Sequence, residues 1–183
     1  MLHGLLKKIE KSKINTAQKW EVNLNMTLNI EKVLEFQKKF DTVGESLNQL
    51  DSNLRVDLLS EEVRELNDAF SNHQNPNYKE VLDAYCDIIF LAVGGAIKHG
   101  FKDVLSQAFE IVCDSNLSKA DASYQDAMKT QELYAKKGIR TEIAERNNDG
   151  EEYFLTLRQS DGKVLKSYKY KEVDFTEVLN TIK

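Results

Sequence analysis

Proline occurs once in the 183 residues, as Pro76, and glycine only eight times. A chain so poor in turn formers cannot be a sandwich or barrel of many short strands, each needing its own turn, and this favours helices. There are two cysteines, Cys86 and Cys113, inside apolar helical segments and at no metal-ligand spacing. They read as buried free thiols and point to a reducing cytoplasm. The three histidines (His3, His73 and His99) are scattered, and none forms the Glu-x-x-His pair of di-iron bundles. The longest apolar run, 88–97, falls far short of the ~20 residues that span a bilayer. The start of the chain, rich in leucine and lysine, lacks the continuous apolar stretch of a signal peptide. A basic face or tail is also missing: the net charge is −5 and the pI about 5.3, which argues against a nucleic-acid partner. The expectation is a soluble cytoplasmic protein without a membrane partner.

What is present is helical periodicity. Apolar spacing and punctuation predict helices over 2–22, 30–40, 54–70, 78–99, 102–114 and 123–137. Residues 41–53 read as irregular, and 71–77 (SNHQNPN) as a loop. Beyond Gly138 the period changes. Segments 139–146, 152–158 and 163–170 read as three strands of an antiparallel meander, joined by Asn-Asn-Asp-Gly and Ser-Asp-Gly. Asp174 and Glu177 have capping-box spacing and open a last short helix. The expected organisation is a helical catalytic region over 1–137, with a β-meander appendage and terminal helix over 138–183 packed on it.

Chemistry concentrates between Leu58 and Gly100. The 54–70 helix carries Glu61, Glu62 and Glu65, with Glu61 and Glu65 stacked one turn apart. The 78–99 helix carries Glu80, Asp83 and Asp87 on one stripe. A Glu/Asp stripe is commonly a solvated face, and that reading stays open for the first of these helices. In the second, Asp83 and Asp87 are the only charges from Val81 to Ile97, and apolar residues surround them. A helix apolar all round is expected to be buried, and a buried carboxylate costs several kcal/mol unless paired. No basic residue lies in the segment, so a divalent cation is the natural counter-charge. An all-oxygen donor set selects Mg²⁺, or Mn²⁺.

Glu61-Glu62-x-x-Glu65, about 18 residues, then Asp83-Ala84-x-x-Asp87-Ile-Ile-Phe-x-x-x-Gly, resembles the all-α nucleoside triphosphate pyrophosphohydrolases. These are the MazG-like proteins, related to phosphoribosyl-ATP pyrophosphohydrolase and dimeric dUTPase. The later Ser115-Asn116-Leu117-Ser118-Lys119 adds to the likeness. The resemblance covers roughly 33–137 and implies a mainly α fold, an antiparallel helix bundle, here with the small β meander at its C-terminal end. It implies cleavage of a nucleoside triphosphate between its α and β phosphates, a homodimer or homotetramer, and Mg²⁺ held by Glu62, Glu65, Asp83 and Asp87. Glu61 would orient or deprotonate the attacking water, Lys119 would contact the leaving phosphates, and Asn116 phosphate or sugar. For Asn116 to Lys119 the alternative is a plain helix terminator with a solvated lysine. The sequence departs from the family at Ala84, where many members carry Glu three before the second Asp; Asp83 offers a substitute one position earlier, and Glu80 a further contribution through Glu80-x-x-Asp83. Two rival readings follow, a regulator that binds nucleotide or metal without turnover, and a helical interaction protein whose acidic stripe is only surface.

Overall fold

A computed structural model describes residues 30–40, 49–71, 76–148 and 150–182. The expected 2–22 helix lies outside the described residues. The chain divides into two units, 1–30 and 31–183; of the first only Ile30 is described, so the account concerns the second. Its elements, in order, are α1 (Ile30–Lys39), α2 (Gln49–Ala69), α3 (Tyr78–Lys98), α4 (Leu105–Leu117), α5 (Tyr124–Ala135), β1 (Thr141–Asn148), β2 (Glu151–Arg158) and α6 (Thr176–Leu179). The described protein is mainly helical with a small antiparallel sheet.

The helices arise where periodicity expects them, with shifted ends. α2 starts at Gln49 rather than 54, because 49–53 (QLDSN) holds neither glycine nor proline to stop it. α5 begins where Ser123 caps it, its Oγ accepting the Asp126 N–H at 3.2 Å. Asp174 does not cap α6. It accepts the Thr176 N–H and hydroxyl at 2.9 and 2.6 Å, one position outside the cap residue Phe175, so the reciprocal capping box does not form.

α2 and α3 pack antiparallel along their length as a helical hairpin. α1 docks on α3 through Val33, through Phe36 against Phe90, and through Gln37. The Gln37 amide, 2% exposed, donates to the Gly94 carbonyl at 2.5 Å. A Cβ on Gly94 would come within 2.8 Å of that amide nitrogen, so glycine leaves room for the Gln37 side chain to reach the α3 backbone.

The C-terminal part centres on α5, which packs on both strands. β1 and β2 form a hairpin in register from Thr141↔Arg158 to Asn148↔Glu151, and Gly150 before β2 takes φ 87°, a value that suits glycine. The expected third strand does not form. Segment 163–170 touches β2 through one bridge, Leu157↔Val164, and two backbone bonds, Arg158 N–H to Lys163 O and Leu165 N–H to Thr156 O. It then leaves the edge, because Asp121 already occupies the next position and exchanges both backbone bonds with Phe154 at 2.9 Å. The same Asp121, 2% exposed, redirects the segment: its carboxylate accepts from Thr130 at 2.9 Å and Ser167 at 2.5 Å. Lys169 N–H donates to the Ser167 hydroxyl and Tyr168 N–H to that of Thr130, so side chains take the place of a ladder.

α3 corrects a second expectation. It is buried on one side only, through Val81, Ala84, Val93, Gly94, Gly95 and Ile97. Leu82 and Tyr85 remain 65% and 48% exposed, and Asp83, Cys86 and Asp87 are exposed as well. Among the described residues the neighbours α1 and α2 cover a single side of the helix. The sequence argument from burial of Asp83 and Asp87 therefore does not hold within this chain, and Cys86 is not a buried thiol. Cys113 is half-buried.

Candidate functional site

The helical hairpin sets the carboxylates of α2 against those of α3. Glu62 lies at the centre of the seam: it is half-buried, and its Oε2 is shielded from solvent without a hydrogen-bond partner. Desolvation raises its pKa above the ordinary glutamate value, and so do the charges of Glu65, Asp87, Glu61 and Asp83, in that order. Four of the acidic residues picked out along the sequence thus act on the fifth, Glu62. No hydrogen bond or salt bridge satisfies that oxygen, which is the condition a cation relieves.

Towards the loop end of the hairpin the seam opens into a cleft of about 400 Å³. Glu65, Asp68, Ser71, Asn77, Glu80 and Asp83 line it, with Ala69 and Ala84 as its apolar floor. Glu80 therefore stands with Glu65 and Asp83, as the Glu80-x-x-Asp83 spacing allows. Asp68 escaped the sequence reading, although its signal was there: Glu65-x-x-Asp68 puts both on one face of α2. Ala84, the departure from the family pattern, is 3% exposed and packs in the hairpin interior. A carboxylate there would have been buried, which gives a physical reason for the acid to stand one position earlier. Asp87 lies outside the cleft lining and meets the cluster through Glu62. Among the described residues no three Asp, Glu, His or Cys side chains are arranged to hold a metal ion.

Asn116 and Lys119 are not among the residues lining the cleft. They sit at the end of α4 and hold each other, Lys119 Nζ donating to Asn116 Oδ1 at 2.6 Å, while Asn116 donates back to Val112 O at 3.0 Å. Their neighbours have a structural task that the sequence did not suggest. Buried Ser115 lies with its Oγ 2.8 Å from both Tyr170 OH and Lys171 O, and Ser118 Oγ accepts the Lys171 N–H at 2.9 Å. The end of α4 thereby anchors the returning C-terminal segment.

The site is thus an acidic cleft in an antiparallel helix pair, within a mainly α chain. Residues 30–116 match the family model described as phosphoribosyl-ATP pyrophosphohydrolase. The match spans a little under half of the chain and contains α1 to α3, most of α4 and every acidic residue of the seam. It bears out the resemblance read from Glu61 to Asp87 and supports a nucleotide pyrophosphohydrolase activity. No curated protein matches the chain significantly. No helix among the described residues is long and apolar enough to cross a membrane.

Proposed function

We propose that this protein is a Mg²⁺-dependent nucleoside triphosphate pyrophosphohydrolase, with Mn²⁺ as an alternative ion. It cleaves nucleotides or deoxynucleotides between the α and β phosphates, giving a monophosphate and pyrophosphate. The observation that carries the reading is the unpartnered Glu62 Oε2 amid four further carboxylates, on the stretch that matches the pyrophosphohydrolase family.

The donor set fits a hard cation: every candidate ligand is a carboxylate oxygen, and the shielded one lacks a partner. Glu62, Glu65, Asp83 and Asp87 are assigned to hold it, with Glu80 beside Asp83. Once bound, Mg²⁺ neutralises the phosphate oxygens and polarises the phosphorus. We assign Glu61, exposed on α2, to orient the attacking water and accept its proton. The water oxygen bonds to the α phosphorus, and the bridging oxygen departs with pyrophosphate. Lys119 is assigned to the leaving phosphates, exchanging Asn116 Oδ1 for a phosphate oxygen, and Asn116 to phosphate or sugar.

The exposed apolar stripe of Leu82, Tyr85 and Ile89 on α3 favours a homodimer or homotetramer. The unpaired thiols favour the cytoplasm, and the negative net charge disfavours a nucleic-acid partner. The rival reading, a regulator that binds nucleotide or metal without turnover, draws on Ala84, where many family members carry Glu. A panel of nucleotides and deoxynucleotides assayed with Mg²⁺ and with Mn²⁺ separates the two. Pyrophosphate release lost in Glu65→Ala and Asp83→Ala supports the enzyme, and tight binding of metal or nucleotide without release supports the regulator.

A further inference from the structure

β1 is the edge of its sheet, and its outward side can be read from the ladder. Phe154 directs both its backbone groups away from β1, to Asp121. Its cross-strand partner Glu145 therefore belongs to a non-hydrogen-bonded pair and directs its own N–H and C=O outward, away from β2. Alternation gives the same for Thr141, Ile143 and Asn147. The Thr141 carbonyl accepts from the Gln131 side chain at 3.1 Å, so α5 caps the start of the edge. From Ile143 to Asn147 no third strand lies along it among the described residues. Open edges recruit strands unless proline, a bulge or charged side chains block them; β1 pairs residue for residue without proline or bulge, and its charges Glu142, Glu145 and Arg146 select which strand it can accept.

The sequence of β1 is complementary to itself in one register. In an antiparallel pair centred on Ala144, Glu142 faces Arg146 of the second copy, and Arg146 faces its Glu142. Both residues are exposed and on the same face. Ile143 and Glu145 then exchange backbone bonds with Glu145 and Ile143 of the second copy, four in all. Ala144 meets Ala144 at a non-hydrogen-bonded position, where Cα atoms approach to about 4.5 Å and a methyl group fits. Centring on Glu145 instead opposes two glutamates, and centring on Ile143 requires the Thr141 carbonyl that Gln131 occupies. Arg146 at present donates to the Glu145 carbonyl at 2.9 Å. Pairing hands that carbonyl a backbone N–H and releases the guanidinium for Glu142 across the seam. We propose that two copies of this protein join edge to edge through antiparallel β1–β1 pairing centred on Ala144, making one four-stranded sheet. The inference is independent of the catalytic reading.

The test uses the full chain. Glu142→Arg and Arg146→Glu each set like charges at both ends of the seam, and each should weaken self-association about thirty-fold, ~2 kcal/mol. In sedimentation the mass of the wild-type assembly should halve for either variant. An equimolar mixture should restore it. At one end of the mixed seam the introduced arginine then faces the introduced glutamate, and at the other the native Arg146 faces the native Glu142. In a Cys86→Ser, Cys113→Ala background, Ala144→Cys should form a disulfide-linked dimer on mild oxidation, since ~4.5 Å between Cα atoms lies within disulfide reach. Exposed Gln159→Cys serves as the collisional control. Wild-type mass in the single variants, no recovery on mixing, or cross-linking no faster than the control each overturns the proposal. The readout is mass and linkage, so its failure is distinct from a failure to release pyrophosphate.

Discussion

Glu62→Gln removes one charge from the point where five carboxylates meet, and its effect on stability changes sign with the cation. Without metal, Glu62 faces Glu65, Asp87, Glu61 and Asp83. At ~0.2–0.5 kcal/mol for each like-charge pair on a helical surface, relieving four gives about 1–2 kcal/mol. For a chain of this size that raises the melting temperature by about 2–8 °C. The amide also offers a donor to its acceptor-only neighbours. The pH dependence follows from the raised pKa. A carboxyl raised on folding contributes stability when protonated, below the ordinary glutamate value, and loses it as pH rises through the folded value. Chelated wild type should therefore weaken over that rise, and Glu62→Gln should weaken less. With Mg²⁺ at a hundredfold its Kd, wild type gains about 2.7 kcal/mol, and the mutant, having lost a ligand oxygen, gains less. The order of melting temperatures should reverse. Thermal melts of both proteins in chelator and in Mg²⁺ measure it. A mutant destabilised equally in both conditions would make Glu62 a structural residue and refute the reasoning.

Lys119→Ala should raise KM or lower kcat for triphosphates while Mn²⁺ affinity in a titration stays unchanged; unaltered kinetics would return Asn116 to Lys119 to terminating α4. Gly94→Ala forces a Cβ to within 2.8 Å of the Gln37 amide nitrogen and should cost about 1–3 kcal/mol in urea unfolding. An unchanged midpoint would mean that the Gln37 side chain swings aside at no cost. Asp121→Ala takes the acceptor from the Thr130 and Ser167 hydroxyls inside the C-terminal core, a loss of about 1–3 kcal/mol per stranded group, and should lower the melting temperature by several degrees. Arg158 beside Asp161 holds its carboxyl down to about 2. The stability this gives is present above the ordinary aspartate value and is lost as pH falls through about 2. An acid titration by NMR should show Asp161 titrating below the ordinary aspartate value, and Arg158→Gln should move it back towards that value, with the Lys163 N–H still holding it somewhat down.

The hairpin that builds the site was legible because its signals are local. Apolar spacing, the single proline near the loop and Gly100 after α3 are properties of short windows, and the acidic spacing fixes which residues share a helical face. What failed depended on neighbours distant in sequence. The third strand looked sound by alternation, but Asp121 takes its place beside Phe154 and its hydroxyl network pulls the segment away. The all-apolar pattern suggests burial of α3, yet Leu82, Tyr85 and Ile89 remain exposed. That pattern records hydrophobicity and not what supplies the contact. The start of α2 was missed because polar residues without a breaker propagate a helix as readily as apolar ones. Asp68 was overlooked because the motif ended at Glu65, although the helical period reaches one turn further.

The claim that the acidic seam serves pyrophosphate release is tested most directly by following products from a nucleoside triphosphate with Mg²⁺ by phosphorus NMR. Monophosphate and pyrophosphate appearing in equal amounts, with neither diphosphate nor early orthophosphate, is the predicted result. Diphosphate with orthophosphate would place the cut at the γ phosphate and contradict the account.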